Sequence, residues 1–234
     1  MRGSKIIITG LLLFLSLLAN AQRIKKRNVE AFDKIRVFGN VEVEMIKGKK
    51  EAVEIFARNI NLSDISINVL NRQLKIKTKS NLFKEDAFVK LRVTYKEIRE
   101  ISVNASADII FRNVIKNDKL FISATSGARA NLKVNLNALE LKVYQGAHID
   151  ISGSTKLNEV LVNTGGILSA TYLACDEVFI KLNTGGQAEF IVNKSIDAIV
   201  NTKGKLNYFG LPEKENIKTK LGGSVNAWDK PEDI

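Results

Sequence analysis

The 234-residue sequence predicts an all-β protein, a parallel β-helix-like solenoid with rungs of about 19 residues and an irregular β cap on its N-terminal side. Three observations carry this. A short motif recurs through the second half, apolar and polar residues alternate on both sides of it, and one position within it never holds anything larger than Ala. A fixed period of this size marks a stacked, quasi-one-dimensional architecture.

The motif reads Val-Asn-Thr-Gly-Gly at Val162–Gly166 and Leu-Asn-Thr-Gly-Gly at Leu182–Gly186, with weaker copies on either side. Its middle residues are Ala105, Ser126, Gln145, Thr164, Thr184, Thr202 and Leu221, spaced 21, 19, 19, 20, 18 and 19 apart. Even steps from these anchors land on apolar residues, such as Val103, Val143 and Val162 before and Ile109, Ile149 and Leu168 after. Odd steps land mostly on polar ones, such as Asp108, Arg129 and His148. Successive strand side chains point to opposite faces, so this alternation predicts a strand, a tight corner and a second strand with one face inward throughout.

Two residues after each anchor, on the inward parity, lie Ala107, Ala128, Ala147, Gly166, Gly186, Gly204 and Gly223. An inside corner leaves no room for a larger side chain, and Gly tolerates unusual backbone angles there. A phosphate-cradling reading of Thr-Gly-Gly would need a helix to follow, and a strand pattern follows instead. One residue before each anchor stand Asn104, Thr125, Tyr144, Asn163, Asn183, Asn201 and Lys220, read as turn residues whose amides can ladder between rungs. An ice-facing Thr array is the minor alternative.

The remaining segments follow in chain order. Residues 1–21 read as a secretory signal peptide. Arg2 and Lys5 start it, Ile6–Leu18 is an uncharged apolar run too short to span a membrane, and Ala19-Asn20-Ala21 fits a cleavage site that leaves Gln22 first. The mature protein is therefore expected to be exported, with no transmembrane segment. Residues 22–28 carry Arg23, Lys25, Lys26 and Arg27 and read as a solvated basic tail. Residues 29–228 form the single domain, divided into an irregular β cap region at 29–100 and regular repeats at 101–228. Within the cap region, Ile35–Val43 resembles one repeat copy. Val53–Ala57, Ile65–Val69, Leu74–Thr78 and Val89–Tyr95 alternate as strands, Asn59–Asp64 suits one helical turn, and 80–86 reads as a polar loop. Residues 229–234 form a tail that, with Trp228, is expected to cap the other end.

The formal charge of +11 falls to +9 once Arg2 and Lys5 are removed. A basic balance favours anionic glycans or envelope surfaces, and export argues against nucleic acid. The cluster Arg23, Lys25, Lys26 and Arg27 is the candidate polyanion contact. Cys175 is alone and cannot form an internal disulfide, and its neighbours offer no activating base. His148 is the only His, which excludes a His-rich metal site or a Ser-His-Asp triad by counting. The outward acids Asp108, Asp150 and Glu189 sit on different rungs and read as a solvated face. No catalytic residue and no cofactor is expected, and a homo-oligomer is compatible with the sequence.

The run from Phe32-Asp33-Lys34-Ile35 through Leu74-Lys75-Ile76-Lys77, then Val89–Ile109 and the Gly-pair copies, resembles the head GIN domain of auto-transporter adhesins, known from exported proteins of Bacteroidetes. Gly204–Pro212 fits the usual family ending of Gly, strand, Tyr, Gly, any residue and Pro. The resemblance covers almost the whole mature chain. It implies a β-helix-like fold, an adhesin role and no agreed catalytic residues. Ala105–Ala107 departs from the Gly-rich pattern, which implies a looser first corner. The expected function is a non-catalytic binding module of the cell envelope. The alternatives are a carbohydrate-active β-helix enzyme, which would need an acidic pair with a basic partner, and a regulatory scaffold for envelope stress.

Overall fold

The computed structural model describes residues 23–79 and 87–228. The segments expected to form a signal peptide (1–21), a polar loop (80–86) and a C-terminal tail (229–234) lie outside these residues. The chain is an all-β solenoid, with a single 3-10 turn among the described residues, at Leu62–Asp64, inside the segment where one helical turn is expected.

The regular rungs are long strands joined by tight turns. They are β8 (Glu100–Asn104), β9 (Asp108–Phe111), β10 (Ile115–Thr125), β11 (Arg129–Tyr144), β12 (His148–Asn163), β13 (Ile167–Leu182), β14 (Gln187–Asn201), β15 (Lys205–Phe209), β16 (Lys214–Lys220) and β17 (Ser224–Trp228). Each pairs in parallel with the strand one rung away, as in Ala130↔Ile149 and Ile149↔Leu168. The even-step residues of the sequence are the core: Val103, Val143, Val162, Leu182 and Val200 are all fully buried. Because each rung repeats the last, the buried side chains form columns along the solenoid axis.

The corners are one turn type repeated. In each, the two central residues have positive φ, as at Thr164 (50°) and Gly165 (69°) or Thr184 (49°) and Gly185 (72°). The small residue after them donates its N–H back to the residue before them, as from Gly166 to Asn163 O (3.1 Å) and Gly186 to Asn183 O (3.0 Å). This is the signature of a type I′ turn. The turns also bond to each other: Gly165 N donates to Thr184 O and Gly185 N to Thr202 O. At the Gly-free first corner, Ala105 and Ser106 take the same angles, and the closing bond from Ala107 N to Asn104 O lengthens to 3.4 Å.

The inward face does not keep one parity throughout. In β11, Ala130, Leu132, Val134 and Leu136 are buried, and then Leu139, Leu141 and Val143. The switch falls at Asn137–Ala138, which forms a second corner. The reason is arithmetic: a rung of 19 residues is odd, a strand alternates with period 2, and one slip per turn restores the register. The 20-residue rung from Thr164 to Thr184 has two irregularities, around Thr171–Tyr172 and Asp176–Glu177. The second corners carry their own polar rungs, with Asn137 donating to Asp118 (2.7 Å) and Lys194 to Asp176 (2.7 Å).

Before the regular rungs come β1 (Arg23–Asn28), β2 (Lys34–Phe38), β3 (Glu42–Lys47), β4 (Ala52–Arg58), β5 (Ile65–Leu70), β6 (Gln73–Thr78) and β7 (Phe88–Tyr95). Strand β2 pairs in parallel with both β6 and β8, and β3 with both β7 and β9. The β2–β3 pair is therefore a true rung, as its resemblance to a repeat copy predicts. It is stacked between two segments that follow it in sequence. The cap is smaller than residues 29–100. It consists of β5, antiparallel to β6, together with β4 and β1, antiparallel to β7 and β4 respectively.

The basic tail expected at 22–28 is corrected by this topology. Strand β1 pairs with β4 along its whole length, from Arg23↔Ala57 to Asn28↔Ala52. Lys25 and Arg27 lie opposite Ile55 and Val53, on the core parity, and Arg27 donates to the Ile67 carbonyl on β5. Both side chains are exposed, and charge on an outermost strand discourages further strand addition, a standard protection of sheet edges. At the other end Trp228 stays 56% exposed, and Ile217 and Val225 are only partly buried.

Candidate functional site

The outward side chains of the strands after each corner form a continuous polar face. Its first column runs Lys90, Glu42, Asp108, Arg129 and His148, each the register partner of the next across β7, β3, β9, β11 and β12. Lys90 forms an ion pair with Glu42. His148 Nε2 lies 2.9 Å from Ser169 Oγ and 3.2 Å from Asp150 Oδ1. Further along, Glu189 accepts from Thr171 (2.9 Å) and Asn207 (3.1 Å), and Asn226 donates to Asn207 (3.0 Å). Glu189 is thus tied into a ladder between rungs. Asp108 and Asp150 are brought to one end of the face, with Arg129 on the rung between them and His148 beside Asp150 on the same strand.

Glu42 is the residue that the sequence reading misses. Two carboxylates directly opposite on adjacent strands are unfavourable neighbours, and Glu42 faces Asp108 in this way. Burial and the nearby Glu42 both raise the pKa of Asp108, against the lowering effect of Arg129. A signal for this placement exists in the repeat copy at Ile35–Val43. Val41 takes the inward corner position there, and the Asp108 amide bonds to its carbonyl (2.9 Å), so Glu42 falls into the column of Asp108.

A pocket of about 480 Å³ opens over this acidic pair. Asn40, Glu42, Phe88, Ser106, Asp108 and Arg129 line it. It lies where the β2–β3 corner, with one positive φ at Gly39, meets the first type I′ turns, which have two. Some of the other outward charges are paired on the surface, among them Lys142 with Glu140 (2.9 Å) and Arg112 with Glu44 (2.6 Å). The Arg112 hydrogen bond holds the Glu44 carboxyl below its ordinary range. Such exposed pairs contribute little stability. On the face before the corner, Leu161, Phe179 and Ile199 stand among charged neighbours around a shallower recess.

The structure divides the basic cluster. Lys26 pairs with Glu54 (2.8 Å) and Arg27 with a backbone carbonyl, while Lys25 is exposed. The inward corner residues Ala107, Ala128 and Ala147 are buried, and a Cβ at Gly166 would stand 2.5 Å from Val143 O. Among the described residues, no group of three or more His, Cys, Asp or Glu is placed to hold a metal ion. No helix among them is long and apolar enough to cross a membrane.

Cys175 is buried, with Asn158 Nδ2 at 3.6 Å, and burial pushes its thiol up to about 12. Burial also pushes the Tyr95 phenol up to about 12, and burial with Glu215 does the same for Tyr208. The native state keeps these protons where the unfolded chain loses them. Their contribution to stability is full below about pH 9 and is lost as pH rises toward about 12. The expected result is a urea midpoint that falls between pH 9 and pH 11, with Cys175 unreactive toward a thiol reagent at pH 7 until urea unfolds the chain. A flat midpoint over that range, or rapid labelling of the native protein, contradicts it.

A regular solenoid with polar outward columns and a recess at its first corners defines the class: a β-helical module whose surface, rather than its interior, is available to a ligand. The chain belongs to the family described as "Putative auto-transporter adhesin, head GIN domain", whose model matches residues 31–212. Among solved structures, it is similar to a "putative adhesin" from Bacteroides fragilis, at 19% identity and a TM-score of 0.78, covering 89% of this chain and 99% of that one. A "putative adhesin" from Parabacteroides merdae aligns at 20% identity and a TM-score of 0.72, over 89% and 97% of the two chains. A "Putative lipid binding protein" from Parabacteroides distasonis aligns at 17% identity and 0.68, over 89% and 98%. At these identities the likeness is one of fold. No protein of curated function matches the sequence.

Proposed function

We propose that the protein is an exported, non-catalytic binding module of the cell envelope, adhesin-like, whose outward solenoid faces contact glycans. The observation that carries this reading is the regularity of those faces. Most rungs place a polar side chain at the same offset, and several of the outward charges pair with neighbours in place of converging on one reacting atom. Membership of the adhesin family supports it. Contact with anionic glycan or lipopolysaccharide falls to the basic strand β1, and chiefly to Lys25, since Lys26 and Arg27 are already engaged.

The test is a glycan array probed with the mature protein at low and high salt, with reducing-end release assayed alongside. Binding without release is expected. The anionic part should fade at 1 M salt, where the Debye length is about 3 Å, and should weaken in Lys25→Glu, which keeps β1 in place. Release of reducing ends that Asp108→Asn abolishes would establish the enzyme reading instead. Export predicts Gln22 at the N-terminus of protein recovered from the native host, and an intact Met1 in a cytosolic fraction contradicts it.

A further inference from the structure

We infer that the pocket over Asp108 is a binding site for one uncharged pyranose sugar, with Asp108, Glu42 and Arg129 at its hydroxyls and Phe88 against its C–H face. This rests on the reading of the protein as a glycan-binding module and names the subsite and the ligand chemistry.

Size comes first. At about 480 Å³ the pocket falls within the range of about 300–1,000 Å³ typical of small-molecule sites. Its walls come from four stacked rungs: Phe88 on β7, Glu42 on β3, Asp108 on β9 and Arg129 on β11. Strand pairing fixes these backbones, so the site is largely preformed and costs little ordering on binding.

Charge selects the class of ligand. Along the column, Lys90 and Arg129 supply two positive charges and Glu42 and Asp108 two negative ones. On the pocket lining itself Glu42 and Asp108 outnumber Arg129, so a sulfate or uronate is disfavoured there. The local pattern still demands a partner. Lys90 is bound to Glu42, whereas Asp108 has no ion-pair or hydrogen-bond partner for its carboxylate among the described residues. Half-buried and opposite Glu42, its carboxylate is stabilised by a hydroxyl donor. Hydroxyl groups donate without bringing charge, and the same hydroxyls accept from Arg129. Adjacent rungs lie about 4.8 Å apart, so an acceptor and a guanidinium donor stand side by side along the stack. A ring with hydroxyls on neighbouring carbons engages both at once.

Phe88 supplies the apolar half of the site. It starts β7 on the pocket wall and is partly exposed there, at 38%. A pyranose presents one face of C–H bonds that covers such a ring while its rim of hydroxyls meets the charged side chains. A purely polar small molecule leaves Phe88 uncovered, and a purely apolar one leaves Asp108 without a donor.

The experiment is isothermal titration of the mature protein with methyl glycosides of glucose, galactose, mannose and N-acetylglucosamine, and with galacturonic acid, at 0.05 and 0.5 M NaCl. At least one neutral glycoside should bind with an affinity that salt barely changes, and galacturonic acid should bind no better. Asp108→Asn, Arg129→Ala and Phe88→Ala should each weaken that binding about tenfold or more, with thermal midpoints showing that the variants fold. Lys205→Ala, on the same outward face but far along the stack, should leave it unchanged. The site is overturned if no neutral glycoside binds, or if binding survives both Asp108→Asn and Phe88→Ala. Array binding that is anionic, lost at high salt and indifferent to Asp108→Asn would remove this pocket and leave the broader adhesin-like reading standing. Absence of any glycan binding on the array would remove both.

Discussion

Replacing Gly153 by Ala is expected to destabilise the protein by about 4 kcal/mol or more, although it adds a single methyl group. Gly153 lies in the middle of β12 at φ +115°, a region that L side chains rarely adopt. A Cβ placed there would stand 1.9 Å from Val134 O on the preceding rung. The contact is with backbone held in a parallel ladder, Val134↔Gly153, so no side-chain rotation can relieve it. Overpacking costs about 1–3 kcal/mol and a special backbone angle about 1–3 more, and both apply together. The comparison is Gly165→Ala, in the turn that follows β12. Gly165 also has positive φ, +69°, but nothing lies within 4 Å of its Cβ position. Only the left-handed conformation is penalised there, at about 1–2 kcal/mol. Urea midpoints for the two variants should therefore separate widely. If Gly153→Ala loses no more than Gly165→Ala, the close approach of the two rungs is wrong.

Gly153 shows where sequence reading stops. The Gly pairs were legible because they repeat, and repetition turns a single residue into a column. Gly153 has no counterpart one rung earlier, where Val134 stands, or one rung later, where Leu173 stands. Its need for glycine arises from the close approach of Val134 in the unbroken β11–β12 register, which no repeat in the sequence marks. The second corner is different. Rung lengths of 19 with a strand period of 2 already require a slip, so Asn137–Ala138 could have been placed by counting onward from the anchor.

The order of the first rungs could not have been read in the same way. A pairing such as Glu42↔Asp108 joins residues far apart in sequence, and although Ile35–Val43 reads as a repeat copy, nothing in the period says that it inserts between later rungs. The candidate site inherits this limit: Asp108 and Arg129 belong to the visible repeat, but Glu42 and Phe88 reach the pocket only through the out-of-order stacking. Strand β1 was misread for a related reason. Its run of basic residues looks like a solvated tail in composition, whereas its position as the outermost strand over β4 is what makes its charge useful.

The corner column yields the other large effect. Gly166→Val and Gly186→Val should each cost about 3 kcal/mol or more, from overpacking and the shift of the turn together. At Gly166 an added Cβ would lie 2.5 Å from Val143 O and 3.1 Å from Val162 Cγ1, and at Gly186 2.7 Å from Val162 O. Alanine is accommodated in the same column at Ala128 and Ala147, both fully buried. A single carbon is therefore tolerated where the rungs are spaced to take it, and valine is the stricter test because it adds two more carbons. Each turn also donates to the next, Gly165 to Thr184 and Gly185 to Thr202, so a displaced corner strains the turns above and below it. Lys181→Ala, exposed on β13, should change stability by less than about 0.5 kcal/mol. Urea midpoints for Gly166→Val and Gly186→Val that match Lys181→Ala would reject the inward corner. A loss confined to the valine variants ties the smallest residues of the repeat to the closest approach between rungs.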